Sequence, residues 1–351
     1  MTRIDFKQPH VMAEIGCNHM GEFETAKELL TLAKEAGASV GKFQKRCPKE
    51  LLTPEQYAAP HPNPRNAYGD TYGAHREYLE LTVDQHRELK KHCEEIGLGY
   101  SCSVWDVTSA KEIVSLNPIL IKVGSPSNQH WEMQKVLRDE YGGDIHISTG
   151  MTTKEEVEKI VTFWEEGAGD AKNRLVLYNC TSGYPVPFED VCLLELRELY
   201  DKYHARVKAI GFSGHHLGIA VDVAAYAMGA QWNERHFTKD RTWKGTDHAA
   251  SLEPAGLTKL CRDLQATWKC MTPKASEIFA CGWRGPSVRG TLRGTRVGGV
   301  SPCPCTLCVD RRVCVGLVCA TRLFLSPIGS KRPTALSRRV EIPVSMTRLS
   351  Q

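Results

Sequence analysis

No stretch of the sequence reaches the about 18 uninterrupted apolar residues of a membrane-spanning helix, so no membrane span is expected. The opening MTRIDFKQPH is polar and mixed in charge, unlike the basic-then-apolar pattern of a secretory signal, so none is expected. Neither sign of charge dominates, with 45 Lys and Arg against 41 Asp and Glu. No Gly-rich dinucleotide loop follows the first strand-like run, which weighs against a doubly wound nucleotide-binding sheet. The repeated C-x2-C knuckles of a strong zinc site are also missing. What is present, 41% apolar and 25% charged residues, describes an ordinary globular chain and argues against wholesale disorder.

Charge and cysteine are unevenly placed. From Cys281 to Gln351 there are 12 Lys and Arg against two acids, Asp310 and Glu341, whereas residues 1–280 carry 33 basic and 39 acidic groups. Six of the 14 cysteines lie at or beyond Cys281, five of them between Cys303 and Cys319. The chain is therefore expected to divide into a barrel-sized body, 1–280, and an Arg- and Cys-rich tail, 281–351, irregular and disordered. That tail contains no recognisable nucleic-acid-binding module, so no nucleic-acid partner is expected. The scattered cysteines of the body and the absent signal point to a reducing, cytoplasmic location.

The body alternates strand-like runs with amphipathic helical segments. HVMAEI precedes ETAKELLTLAKEAGA, ASVGKFQ precedes VDQHRELKKHCEEIG, and the pattern repeats to QWNERHF and PAGLTKLCRDLQATWKC. Eight strand-then-helix units in about 270 residues predict an α/β fold of the closed (β/α)8 barrel type. One connection is unusually long. Between Gln44 and Val83 lie five prolines and four tyrosines, and on the catalytic face such a loop is expected to be a lid.

In a barrel the chemistry sits at the C-terminal ends of the strands. Here those ends carry Glu14, Lys42, Gln44, Ser103, Lys122, Ser125, Ser182, Tyr184, Ser213, His215, Glu234, Arg235 and His236, with Lys244 and Asp247 just beyond. Two lysines and an arginine converging on one mouth, with hydroxyls between them, predict an anion site for phosphate or carboxylate. His215 and His236 end neighbouring strands, so their imidazoles are candidates to share one divalent metal.

At these residues the sequence resembles a known family. AEIGCNHMG, KFQK, IKVGS, STGM, CTSGYP, IGFSGHHLGIA and ERHFTKDRTWKGTDHAASLEP, in that order, resemble the sialic acid synthases. GDTYGAHREYLELTVDQHREL looks like the animal branch, the N-acetylneuraminate-9-phosphate synthases. The match runs from about Val11 to about Ala280. The resemblance implies a (β/α)8 barrel that condenses phosphoenolpyruvate with open-chain N-acetylmannosamine or its 6-phosphate, a C–C bond-forming transferase using Mn2+ or Mg2+. It implies that His215 and His236 hold the metal and that Lys42, Ser103, Lys122, Ser125, Ser182 and Ser213 bind phosphoenolpyruvate. Gln44, Tyr184 and Asp247 match residues that hold the sugar, and Lys244 is a candidate for a sugar phosphate. Glu14 and Glu234 are candidates to orient water or take a proton. Their alternative is a structural ion pair, Glu234 with Arg235.

Two departures from the family pattern qualify these implications. Many members have an acidic, sugar-contacting residue where this chain has Ser127, which leaves the sugar open. The antifreeze-protein-like C-terminal domain expected of the family, which exchanges between subunits of a homodimer and lends an arginine to the sugar site, is not recognisable after about Ala280. The tail is expected to be unrelated coding. The alternatives are a synthase for the deaminated sugar made from mannose 6-phosphate, a synthase for another nonulosonate, and an inactive barrel.

Overall fold

The computed structural model describes residues 3–274, so the border expected at 280 and the Arg- and Cys-rich tail lie outside the described residues. Eight parallel strands close into a barrel in chain order. They are β1 (His10–Gly16), β2 (Val40–Lys45), β3 (Gly99–Val104), β4 (Leu120–Val123), β5 (Asp144–Ser148), β6 (Leu175–Cys180), β7 (Ala209–Gly214) and β8 (Ala230–His236). Closure is made by β1, which pairs with β2 on one side and β8 on the other.

The outer ring consists of α1 (Phe23–Glu35), α5 (Val83–Ile96), α6 (Val107–Leu116), α7 (Trp131–Glu140), α8 (Lys154–Glu165), α10 (Leu193–Tyr203), α11 (Ala220–Ala227) and α12 (Pro254–Cys270). Four shorter helices, α2 (Pro48–Leu51), α3 (Pro54–Ala58), α4 (Tyr72–Leu79) and α9 (Ala171–Arg174), lie in the connections. Local chemistry sets several boundaries. Thr82 and Gln85 form a reciprocal capping box at the start of α5, and Gly97 ends that helix with φ +67°, a left-handed cap that favours glycine.

Strand alternation sorts the side chains into two environments. Outward residues such as Ala13, Phe43, Ile121, Ile147 and Phe212 join the main core with Leu29, Leu89, Ile113 and Ile160 of the helices. Inward, Met12, Val40 and Leu120 pack with Trp232. Below the mouth His10 stacks on Trp232 at 4.4 Å, and His146 meets the Tyr178 hydroxyl at 2.7 Å. Two residues further along the four strands of the Met12 layer stand Glu14, Lys42, Lys122 and Glu234, all buried. The floor of the barrel is thus apolar and aromatic, and the next layer is ionic.

The long connection after β2 is folded rather than open. Its helices α3 and α4 pack so closely that a Cβ on Gly73 would stand 2.4 Å from the Tyr57 ring. Glu80 ties it to the barrel, accepting from the Arg46 backbone N–H at 2.9 Å. The expected lid is therefore a compact cap at the mouth, and Tyr68, His75, Arg76 and Leu79 from it line the cavity below.

Candidate active site

A cavity of about 410 Å3 opens at the C-terminal ends of the strands. Of the fifteen side chains singled out in the sequence, all but Arg235 and Lys244 line it. Strand register explains the convergence. Glu14 on β1 is level with Lys42 on β2 and with His236 on β8. Ser103 is level with Lys122, and Ser213 with Glu234.

At the bottom lies a four-membered ionic cluster. Lys42 pairs with Glu14, donates to Ser103 Oγ at 2.6 Å, and lies 3.8 Å from Glu234. Lys122 donates to Glu234 Oε2 at 2.9 Å, and its ammonium stands 4.3 Å from the centre of the Tyr178 ring. Ser213 donates to the other Glu234 oxygen at 3.0 Å. Burial works to raise the Glu234 pKa, but Lys122 and then Lys42 outweigh it and hold the carboxyl well below its usual range. Burial opposes the charge of Lys42 as well, and Glu14 and Glu234 together raise its pKa.

Beside this cluster is a hydroxyl cradle. Ser125 Oγ is buried without a hydrogen-bond partner. A Cβ on Gly150 would stand 2.6 Å from Ser125 Oγ and 2.8 Å from Ser182 Oγ, so only glycine lets both hydroxyls face the same space. An orphaned hydroxyl next to two ammonium groups suits an oxyanion.

The two histidines do converge. The His215 and His236 ring centres are 5.4 Å apart. His215 Nδ1 faces the Thr181 carbonyl at 3.0 Å, and a carbonyl only accepts, so Nε2 keeps its lone pair. Burial, then His236, lowers the His215 pKa to about 3, which keeps the ring neutral and able to ligate. His236 Nδ1 is buried without a hydrogen-bond partner and lies 3.7 Å from Asp247 Oδ2. Among the described residues no group of three or more His, Cys, Asp and Glu is arranged to hold a metal. The protein thus offers two nitrogen donors and leaves other positions to ligands from solution, a donor set that fits a divalent ion with open coordination.

Gln44 donates to Glu14 Oε1 at 2.6 Å, and Tyr184 lies over the histidines, its ring centre 4.3 Å from that of His215. Gly16, at φ +53°, makes room here, since a Cβ would stand 3.1 Å from both Gln44 and Glu14. Lys244 stays at the rim, its ammonium 4.4 Å from the centre of the Tyr68 ring. One expectation needs correction. Arg235 does not reach the mouth or pair with Glu234. It follows Glu234 on the strand, so alternation turns it outward, to Asp222 at 2.6 Å and the His216 carbonyl at 2.6 Å. Ser127 is not in the cavity wall but donates to the Trp105 carbonyl at 3.2 Å.

Sequence reasoning missed Arg46, Arg76, His75, Tyr68 and Trp105, which also line the cavity. Arg46 had a visible signal, standing one residue past β2. Trp105 had the same signal, one residue past β3, whereas Tyr68, His75 and Arg76 had none, because their place depends on how the long connection folds.

Known proteins resemble this chain over the barrel. The model of the NeuB family covers residues 29–276. The human N-acetylneuraminate-9-phosphate synthase is 35% identical over 272 residues, 77% of this chain and 73% of that protein. The Drosophila melanogaster protein of the same name is 38% identical over 255 residues, 72% of this chain and 66% of that one. Among solved structures, the N-acetylneuraminic acid (sialic acid) synthetase of Leptospira borgpetersenii in complex with citrate superposes with a TM-score of 0.66 at 25% identity, over 77% of this chain and 89% of that one. With the family model matched over most of the barrel and relatives this similar across it, the chain belongs to the NeuB family.

Proposed function

We propose that this barrel condenses phosphoenolpyruvate with N-acetylmannosamine 6-phosphate, or with N-acetylmannosamine, giving a sialic acid, 9-phosphorylated in the first case, and inorganic phosphate. One observation carries the reading: two buried ammonium groups and an orphaned hydroxyl share a cavity with two imidazoles whose free nitrogens suit a metal. The names of the relatives, which specify a 9-phosphate product in the human and fly proteins, support the phosphorylated acceptor.

Lys42 and Lys122, with Ser103, Ser125, Ser182 and Ser213, bind the phosphate and carboxylate of phosphoenolpyruvate. Gln44, Tyr184 and Asp247 hold the sugar with its aldehyde beside the histidines. A divalent cation, Mn2+ or Mg2+, held by His215 and His236 supplies Lewis-acid polarisation of that aldehyde. C3 of phosphoenolpyruvate attacks the aldehyde carbon, whose oxygen takes up a proton. Water adds at C2 and gives up one proton, and the C2–O bond to phosphate breaks as the remaining C2 hydroxyl passes its proton to the departing phosphate and becomes the ketone. The arriving anion competes with Glu14 and Glu234 for the same ammonium groups, which frees a carboxylate to accept the proton of that water. The free thiols of all eight described cysteines support a reducing, cytosolic setting, in which we place the enzyme as a homodimer.

Phosphate release from phosphoenolpyruvate, followed with N-acetylmannosamine, its 6-phosphate and mannose 6-phosphate, each with and without Mn2+, tests the reading. Release that requires both an N-acetylated sugar and the metal is expected. Release without any sugar, or none with any of the three, overturns it.

A further inference from the structure

The cavity holds cationic groups that the reaction centre does not use. Arg76 on α4 and Arg46 after β2 both line it, as does Tyr68, under the Lys244 ammonium. The Tyr68 hydroxyl donates to the Lys244 carbonyl at 2.6 Å, which fixes the two together. Arg46 is already committed, ion-paired with Glu80 at 3.3 Å and stacked over Trp105. Arg76 is not. Its Nε and Nη2 donate to the Tyr72 hydroxyl of its own helix at 3.0 and 2.6 Å. Among the described residues neither Arg76 nor Lys244 has a carboxylate partner within 4.0 Å.

The neighbouring imidazole registers this excess of positive charge. Burial first, then His61, Arg76, Lys244 and Arg46 together, lower the His75 pKa to about 4. Asp247 lies beside His236, at 3.7 Å. Arg76, on the cap helix α4, lines the same cavity as Asp247 and the two imidazoles. With the ionic layer taken by the other substrate, an open-chain sugar whose aldehyde sits at the imidazoles has the side of the cavity lined by the cap left for its far carbon.

We infer that Arg76, assisted by Lys244, binds the terminal phosphate of a phosphorylated acceptor sugar and sets the preference for it over the free sugar. This rests on the condensation reading above. A guanidinium without an acid partner, facing a cavity, is a fork ready for a phosphate.

The test uses the full chain with Mn2+ and saturating phosphoenolpyruvate. It compares kcat/KM for N-acetylmannosamine 6-phosphate and for N-acetylmannosamine in the wild type, Arg76→Gln, Arg76→Lys and Lys244→Gln. In Arg76→Gln the ratio of the two should fall roughly tenfold to a hundredfold, chiefly through KM for the phosphorylated sugar, as expected for losing a charged hydrogen bond. Arg76→Lys should restore part of the ratio, and Lys244→Gln, at the exposed rim, should lower it severalfold. A ratio unchanged in both Gln variants, or equal losses on both sugars, overturns the inference and leaves the condensation reading standing. A wild type that condenses neither sugar overturns the reading and the inference with it.

Discussion

Lys122 shows what a buried charge commits its neighbours to. Its side chain is 2% exposed and holds the carboxylate of Glu234, itself 7% exposed. Lys122→Met leaves Glu234 with less counter-charge in the barrel interior, and stability measured by urea unfolding should fall by about 3 kcal/mol. Adding Glu234→Gln should recover part of that loss, although both variants should be inactive. Gly150→Ala makes a different point. Its methyl group would displace the Ser125 and Ser182 hydroxyls, so the KM for phosphoenolpyruvate should rise roughly tenfold with little change in the unfolding midpoint. At this scale the sequence was readable where strand alternation applied. Lysines and serines at strand ends stood out because a core strand would be weakened by them. Arg235 was misread because it was grouped with its neighbours instead of being assigned a face. Arg76 was invisible because nothing local says where its helix lies.

The helices of the outer ring announced themselves by apolar spacing and caps, and α5 ends at Gly97. The helices of the long connection did not, since the four and five residues of α2 and α3 do not establish a period and the eight of α4 span little more than two turns. Its prolines and tyrosines marked it as special without showing that it folds into a cap. Elements also meet through charge. Glu158 on α8 accepts from Arg206 at 2.6 Å and from Tyr203 at 3.1 Å, and Lys202 of α10 pairs with it at 3.0 Å. Hydrogen bonds from Arg206 and then Lys202 lower its pKa from 4.5 to about 2. A depressed carboxyl stabilises the fold above its unfolded value and loses that contribution as pH falls toward its folded value. Unfolding midpoints taken between pH 6 and pH 3 should therefore drop less steeply in Glu158→Gln than in the wild type. The group is more than a third exposed, so the difference should be small and should shrink further in high salt.

For the whole molecule, the ionic floor is balanced when nothing is bound, two lysines against two glutamates. Phosphoenolpyruvate brings excess negative charge to it and gains only what the ammonium groups prefer over their own carboxylates. With Mn2+ present, phosphoenolpyruvate at about a hundred times its dissociation constant should add about 2.7 kcal/mol to stability. In a thermal melt this is a rise of roughly 5 °C or more. Lys42→Ala should abolish the rise. The eightfold repeat of strand and helix was legible along the chain, and with it the barrel. Closure was read from that count of eight alone, because the pairing of residues 10–14 with residues 232–236 leaves no trace in any local pattern.

That pairing has a further consequence. Glu14 sits between Lys42 and His236, so the chemistry straddles the joint where the first strand meets the last. A chain with seven strands assembled would own both lysines and lack the second imidazole. Contacts this remote in sequence form slowly. Returning turnover after dilution from denaturant is then a stopwatch for the shutting of the ring, and it should lag behind the recovery of helix.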